Sequence, residues 1–590
     1  MKNNIVKIVD IEELDAKFHA AINARFNEPD LEDALAYNDI LLDILNTTDP
    51  LDALKRKHKC CAKNCYIYKC YKLLRLQDDK VYGEHDHDII RHRLRVKKGK
   101  SHSGIVSITI FTSATPSYHK DGKLHTNNFS CKWDCSYCPN EPGQPRSYLK
   151  GEPGVLRANR NEFDCVRQMY DRMTALYNNG HDIDKLEVLV LGGTWESYPE
   201  EYRAEFVRDL YYAANTFSSA IDRCRDRYIL AHERDYNRHA KCKVVGLTLE
   251  TRPDTICPES LRLFRQYGCT RVQIGIQHLN EDILRKVNRK CSMKDTINAI
   301  KLLKDCGFKV DAHWMPNLPG SDVEKDDAMF IGVLLNVLQK TYNKQTGDEL
   351  WKLKYPEFQV DQWKIYPCTV VPFTKIEEWY KNNTYIPYSW ESQTNLILKV
   401  KSLIFPWIRL NRIVRDIPST YSLNSDYDSS LRSELPKILE NDGLRCNCIR
   451  CREVKDRVFN DDYKIITREF NASEGTEIFI EAQRDGILYG FLRLRCSPRK
   501  NTIFPELDGC AMIRELHVYG ILSPVGTYND SKTQHKGIGR GLILKAEKIT
   551  IDVFKLKSIS VIPGEGTREY YTKQGFINNY KGGGYMIKEL

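Results

Sequence analysis

Ser130-Cys131-Lys132-Trp133-Asp134-Cys135-Ser136-Tyr137-Cys138-Pro139 sets three cysteines in a C-x3-C-x2-C array, downstream of the apolar run Val106 to Phe111. Three thiolates this close together can hold three irons of a four-iron, four-sulfur cluster. The fourth iron is then left open to a small molecule that offers an amino and a carboxylate group. A structural zinc ion is the plainer alternative, but it prefers four closed ligands on paired C-x2-C or C-x2-H arms, and no such pair lies nearby.

From about residue 100 to 405 strand-like and helix-like pieces alternate, the pattern of parallel βα units. Strands are expected at Val106 to Phe111, Glu187 to Leu191, Val244 to Glu250, Arg271 to Ile276, Lys309 to Trp314 and Gln359 to Ile365. Six such units predict a partial (β/α)6 barrel, whose working groups belong at the C-terminal strand ends. Gly192-Gly193-Thr194 ends the second strand, where missing side chains let a ligand approach the backbone, although many strand-to-helix turns use a Gly-Gly. Glu250-Thr-Arg252-Pro, Gln277-His278 and His313-Trp-Met-Pro-Asn317 end the next three. Polar groups at consecutive strand ends favour a lined cavity over a packed core. The cysteine spacing resembles that of radical SAM enzymes. In that family the cluster binds S-adenosylmethionine and such a Gly-Gly contacts its methionine part.

A chain of 590 residues needs two or three domains. No apolar stretch is long enough to span a membrane, and the first residues lack a signal peptide's apolar centre, so a soluble cytoplasmic protein is expected, with the nucleus as the other location. The twenty cysteines then read as metal ligands and free thiols, not disulfides. The net charge of +10 is uneven: residues 55 to 100 hold fifteen Lys or Arg against five Asp or Glu, as a phosphate-binding face would. Lys97, Lys98 and Lys100, just before the first strand, are placed to hold RNA phosphates; the plainer account of such a run is a solvated face. Residues 1–90 form a basic helical N-terminal extension, with Ile11, Leu14, Phe18, Ile22 and Phe26 on one apolar face. Cys60, Cys61, Cys65 and Cys70 are spaced irregularly in a helical context, which favours free thiols over a metal.

Residues 406–455 form a cysteine-rich linker carrying Cys446-Asn-Cys448-Ile-Arg-Cys451. Tetrahedral zinc needs a fourth donor, and Cys368, at the end of the last barrel strand, is the candidate. From 456 to 590 the pattern changes to antiparallel strands, expected at Glu477 to Ala482, Ile487 to Arg495 and Met512 to Tyr519. Gln534-His-Lys-Gly537-Ile538-Gly539-Arg-Gly541 then opens a helix whose exposed N–H groups suit a pyrophosphate. This Q-x-x-G-x-G, with the closing Tyr570-Tyr571-Thr-Lys-Gln-Gly575-Phe576, resembles the GNAT acetyltransferases, where the pyrophosphate belongs to coenzyme A.

The order of radical SAM barrel (91–405), zinc linker and GNAT domain closely resembles the catalytic-subunit family of Elongator, the tRNA uridine carboxymethyl transferases. The resemblance runs from about residue 90 to the C-terminus. It is carried by His181-x-x-Asp-Lys185, Leu191-Gly-Gly-Thr194, Glu250-Thr-Arg-Pro-Asp254, Arg514-Glu-Leu-His-Val-Tyr-Gly520 and Gln534-His-x-Gly-x-Gly539. It implies an α/β multidomain enzyme that forms 5-carboxymethyluridine from acetyl-CoA and S-adenosylmethionine by radical chemistry in a tRNA anticodon loop. Cys131, Cys135 and Cys138 would hold the [4Fe-4S] cluster, with Gly192, Gly193 and Glu250 on its side of the site. Lys185 would touch acetyl-CoA. Glu515, Leu516, His517 and Val518, with Gly537, Ile538 and Gly539, would hold acetyl-CoA through the backbone. Tyr570 and Tyr571 would stand near its sulfur, where a phenol can give a proton. Partners would be tRNA and either other Elongator subunits or a second copy of the chain. The rival is a histone or protein lysine acetyltransferase with a purely structural cluster, for which Glu515 would be the candidate general base.

Overall fold

Seven strands lie side by side in sequence order: β1 Val106–Phe111, β2 Lys185–Leu191, β3 Lys243–Thr251, β4 Arg271–Gln277, β5 Lys309–Trp314, β6 Gln362–Ile365 and β7 Arg409–Ile413. Every neighbouring pair is parallel. The computed structural model describes residues 29–77, 82–96, 103–129, 131–424, 431–455, 457, 461–498, 500–519, 537–579 and 583–590. The apolar face expected over Ile11 to Phe26, the lysines Lys97, Lys98 and Lys100, and Gln534 lie outside them.

β-Branched and aliphatic residues drive the parallel sheet. Ile108, Ile110, Val188, Val190, Leu247, Leu249, Val272 and Ile274 are all buried, and full burial of such a side chain contributes about 1.5–3 kcal/mol. Helices Cys165–Asn178 and Glu200–Thr216 belong to the same core. The first begins at Asp164, whose carboxylate accepts the Arg167 N–H at 2.7 Å, an N-cap that satisfies a free amide.

Two features correct the expected boundaries. The sheet has seven strands, not six, because Arg409–Ile413 pairs in parallel with β6. In sequence this R-L-N-R-I stretch looks polar and was expected inside the linker, but Leu410 and Ile413 are buried while Asn411 and Arg409 face inward to polar partners. The hairpin Val337–Tyr342 and Glu349–Leu353, from between β5 and β6, leaves the barrel altogether and joins a second sheet.

That second sheet has nine strands, ordered Ile577–Asn578, Met586–Glu589, Ser558–Val561, Cys510–Val518, Ile487–Cys496, Gly475–Arg484, Lys464–Ala472, Glu349–Leu353 and Val337–Tyr342. Cys510–Val518 pairs in parallel with Ser558–Val561 only as far as Ile513 and Val561. Beyond that point the two part, which leaves residues 514–518 unpaired on one side. The helix Ile538–Asp552, which starts after Gly537 in the left-handed region (φ 80°), packs across this strand and its neighbour Ile487–Cys496. A register shift against Ile487–Cys496 makes Arg514 an extra residue, and such a bulge re-aims its side chain.

The N-terminal residues fold as the helices Leu31–Leu35, Asn38–Asn46, Leu51–Lys57, Asn64–Gln77 and Glu84–Leu94, with a small core of their own around Ile40, Leu41, Ile67 and Tyr71. Lys72 ties them to the barrel through the Asn178 side chain at 2.7 Å. Among the described residues no helix is long and apolar enough to cross a membrane.

Candidate functional site

One cavity of about 1470 Å³ runs the length of the half-barrel, from the three spaced cysteines at the C-terminal strand ends to the second sheet at the other end. Cys131, Cys135 and Cys138 all line it. The Arg252 and Arg289 guanidiniums reach the Cys135 sulfur at 3.6 and 3.7 Å. Burial alone would push the Cys135 thiol up, but these two cations outweigh it and hold it below its ordinary value. Burial and the neighbouring Cys135 push Cys138 up to about 11. The Trp133 ring lies 4.1 Å beneath Arg252, and Asp134 pairs with Arg146 at 2.6 Å, so the loop holds its guanidiniums around the sulfurs. Three soft donors among fixed cations suit an anionic iron–sulfur cube. Among the described residues only Cys446, Cys448 and Cys451 are gathered within 4.8 Å, as a single ion requires, and a four-iron cube needs its thiolates farther apart than that.

Gly192 and Gly193 follow β2 with φ of 141° and 101°, both in the region that favours glycine. A Cβ at Gly192 would stand 1.8 Å from Thr112 Oγ1, so the backbone passes against that residue without room for a side chain. The Gly192 N–H and the Tyr148 hydroxyl, at 2.8 Å, both donate to the Glu250 carboxylate. Burial still raises its pKa. Of the other strand-end residues, Arg252, Gln277 and His313 line the cavity. His278 turns away into the core, with Nε2 3.0 Å from Asp326, and Asn317 bonds Tyr388 and Gln393, so both serve structure.

At the far end Glu515, Leu516 and His517 line the cavity from the unpaired stretch of Cys510–Val518, together with Tyr571. Arg493 holds the Glu515 carboxylate at 2.8 Å, and Lys309 of β5 stands 3.9 Å away. Burial opposes ionisation, but Lys309 and Arg493 keep Glu515 below the usual carboxylate range. Tyr570 lies outside the cavity: it is 39% exposed, and its hydroxyl lies 2.6 Å from where a Cβ at Gly539 would stand. Val518, Ile538 and Gly539 meet there, beside the glycine turn. Burial raises the Tyr570 phenol to about 12 and the Tyr571 phenol further, so both keep their protons.

The family model for the Radical SAM superfamily matches residues 128–329, and that for the Radical_SAM C-terminal domain matches residues 360–441. A "tRNA uridine(34) acetyltransferase" of Dehalococcoides mccartyi is 33% identical over 501 residues, covering 84% of this chain and 99% of the relative. The chain belongs to the tRNA uridine(34) acetyltransferase/Elongator complex protein 3 family. "Elongator complex protein 3" of Drosophila melanogaster is 34% identical across 85% of this chain and 86% of that one. The solved structure of the archaeal Methanocaldococcus infernus Elp3 with an N-terminal deletion superposes with a TM-score of 0.65 at 32% identity, over 83% of this chain and all of that one.

One expectation for this Elongator complex protein 3 family member differs from the structure. Cys446, Cys448 and Cys451 come together, but Cys368 does not join them: it is buried in a separate cluster with Ile283, Leu318 and Tyr385, where burial pushes its thiol up to about 12. The proline-rich turn after β6 carries it into the core instead of toward the linker. The trio offers three sulfurs to an ion, and no fourth Cys, His, Asp or Glu ligand is gathered with them among the described residues. Lys185 opens β2 at the end opposite the cysteines and is not among the lining residues. It shares a face with Glu187, Leu189 and Leu191, one pleat beyond Glu187, which does line the cavity.

Sequence reasoning missed the middle of the channel. Arg271 and Lys309 form one level across neighbouring strands; Glu250, Gln273, Asp311 and Gln362 form the next; His313 and Lys364 form the third. Such interiors are ordinarily filled by branched apolar side chains. Here every level is polar and lines the cavity. The signal was present as polar residues at every second position: Arg271 and Gln273; Lys309, Asp311 and His313; Gln362 and Lys364.

Proposed function

We infer that this chain is a tRNA wobble-uridine carboxymethyl transferase that uses acetyl-CoA and S-adenosylmethionine to form 5-carboxymethyluridine. The activity in the names of the Dehalococcoides and Methanocaldococcus relatives, which are tRNA uridine(34) acetyltransferases, carries over with the family. The continuity of the cavity is the supporting observation: the three cysteines and the Glu515–His517 stretch open into one space, so groups held at either end can meet between them. Cys131, Cys135 and Cys138 would hold the [4Fe-4S] cluster, and Gly192, Gly193 and Glu250 the S-adenosylmethionine beside it. When bound, this pair supplies a carbon-centred radical able to take hydrogen from an acetyl methyl group.

The proposal includes a GNAT-type domain over 456–590. The backbone N–H groups that point to the open side of residues 515–518, where the two parallel strands part, and those of residues 537–539 at the helix start would cradle acetyl-CoA. Tyr571 would give a proton at the thioester, and Lys185 would meet the cofactor at the mouth. Cys446, Cys448 and Cys451 would bind a zinc that pins the linker to the barrel. The tRNA would present its anticodon loop, whose single-stranded bases unstack at a cost of about a few kcal/mol, with Lys97, Lys98 and Lys100 on its phosphates. The name of the Drosophila relative extends the proposal to partner subunits of an Elongator complex. A lysine acetyltransferase gains no support, because Glu515 is held between Arg493 and Lys309 and is a weak base there. Anaerobic reconstitution with iron and sulfide, followed by tRNA, acetyl-CoA and S-adenosylmethionine, should give a carboxymethylated uridine by nucleoside mass analysis. Unaltered uridine beside acetylated lysine would overturn the proposal.

A further inference from the structure

The middle level of the channel holds two buried polar atoms with no partner. Gln273 and Asp311 are in register on β4 and β5, and both are fully buried. Lys364 Nζ donates to Gln273 Oε1 at 2.6 Å. An ammonium can only donate, so the amide oxygen must face Lys364, and the Gln273 NH2 is left without an acceptor. On Asp311, Oδ2 accepts from Asn411 Nδ2 at 2.9 Å, while Oδ1 has no donor. Asn411 is itself oriented, since its NH2 also donates to Gln362 Oε1 at 2.6 Å, and that oxygen takes a further bond from Arg271 at 3.0 Å. Charged groups therefore fix the direction of every dipole in the level. What remains open is a donor beside an acceptor on adjacent strands, in a wall of the cavity.

No protein group satisfies either atom, and a ligand that presents an acceptor next to a donor would satisfy both at once. A uracil edge does this with O4 and N3–H; cytosine presents the reverse, an N4 donor and an N3 acceptor. We propose that Gln273 and Asp311 read the target base, Gln273 Nε2 donating to uracil O4 and Asp311 Oδ1 accepting from N3–H, and so select uridine over cytidine midway between the two cofactor ends. This rests on the wobble-uridine function inferred above. It adds the recognition that a flipped base needs on its Watson–Crick edge.

The test compares anticodon stem-loop RNAs carrying uridine, 3-methyluridine or cytidine at the modified position, with the full-length, iron-loaded chain. Blocking N3 removes the donor that Asp311 needs, so kcat/KM for 3-methyluridine should fall roughly 10²-fold or more below that for uridine. In Asp311→Asn the uridine value should drop while 3-methyluridine loses little, shrinking the ratio to about tenfold or less. Joined to Asp311→Asn, Gln273→Glu should turn the preference toward cytidine, the new carboxylate accepting from its N4 amino group and the new amide donating to its N3. Because the readout is a ratio for one preparation, loss of folded protein cancels. Equilibrium binding of the three RNAs to the metal-free chain should give the same order. An unchanged uridine to 3-methyluridine ratio in Asp311→Asn, or equal use of both RNAs by the unmodified chain, overturns the proposal while leaving the function standing. If the unmodified chain cleaves S-adenosylmethionine yet alters none of the RNAs, the function falls and base reading falls with it.

Discussion

Arg514 of the second sheet grips Asp361 of the barrel with both guanidinium nitrogens, Nη2 at 2.6 Å from Oδ2 and Nη1 at 2.9 Å from Oδ1, and both side chains are buried. Glu477 takes Nη1 at 2.8 Å and Lys304 at 3.0 Å, so the seam between the two sheets is ionic at its centre. Removing one member strands a buried charge. Asp361→Ala should therefore lower unfolding stability by about 3–5 kcal/mol. Joining it with Arg514→Met should cost less than the two single losses added together, since the stranded charge goes too. Urea unfolding of the single and double variants measures both, and strict additivity would count against the coupling.

Cys135→Ala should abolish S-adenosylmethionine cleavage and the visible absorption of reconstituted iron, yet leave tRNA binding, because the basic helices lie elsewhere. Retained cleavage would refute the cluster assignment.

Lys364 predicts a pH effect. Burial lowers its pKa to about 8, against the pull of Asp311 and Glu250, from an ordinary 10.5. The folded amine loses its proton first, so between about pH 8 and 10.5 the unfolded chain binds more protons, and this group's contribution to stability rises with pH through that window. Below pH 8 the buried charge costs about 3 kcal/mol relative to the neutral amine. Lys364→Met should flatten the rise. Lys304, also lowered to about 8, keeps the remaining share. Denaturant midpoints across the window decide it, and a variant with the full rise would exclude Lys364 as its source.

The paired tyrosines should separate. Tyr571 faces the cavity and Tyr570 the glycine turn, their rings 5.3 Å apart. Loss of a proton donor typically costs about 10²–10⁴-fold in rate. Tyr571→Phe should thus act on kcat for acetyl-CoA turnover, and Tyr570→Ala on KM. Equal effects on both constants would remove the distinction.

What the sequence made legible follows from local rules. C-x3-C-x2-C, the Gly-Gly after β2 and the period-two strands each have a chemical signature confined to a few residues. Cys368 was misassigned because ligand pairing across eighty residues depends on how a turn folds, which spacing does not encode. β7 escaped notice because its apolar content is two residues in five. Gln273 and Asp311 were passed over because, inside runs such as R-V-Q-I-G-I-Q, alternate polar residues look like an exposed strand face until the sheet curls and makes that face an interior.

The hairpin that leaves the barrel to lie beside Lys464–Ala472 makes the two halves mutually dependent. A fragment beginning at the linker would expose a raw sheet edge where Glu349–Leu353 should lie, an invitation to aggregate. On the ribosome those strands emerge long before their companions and must wait for them. The two sheets are therefore completed together, and a fragment cut between them lacks a strand it is built on.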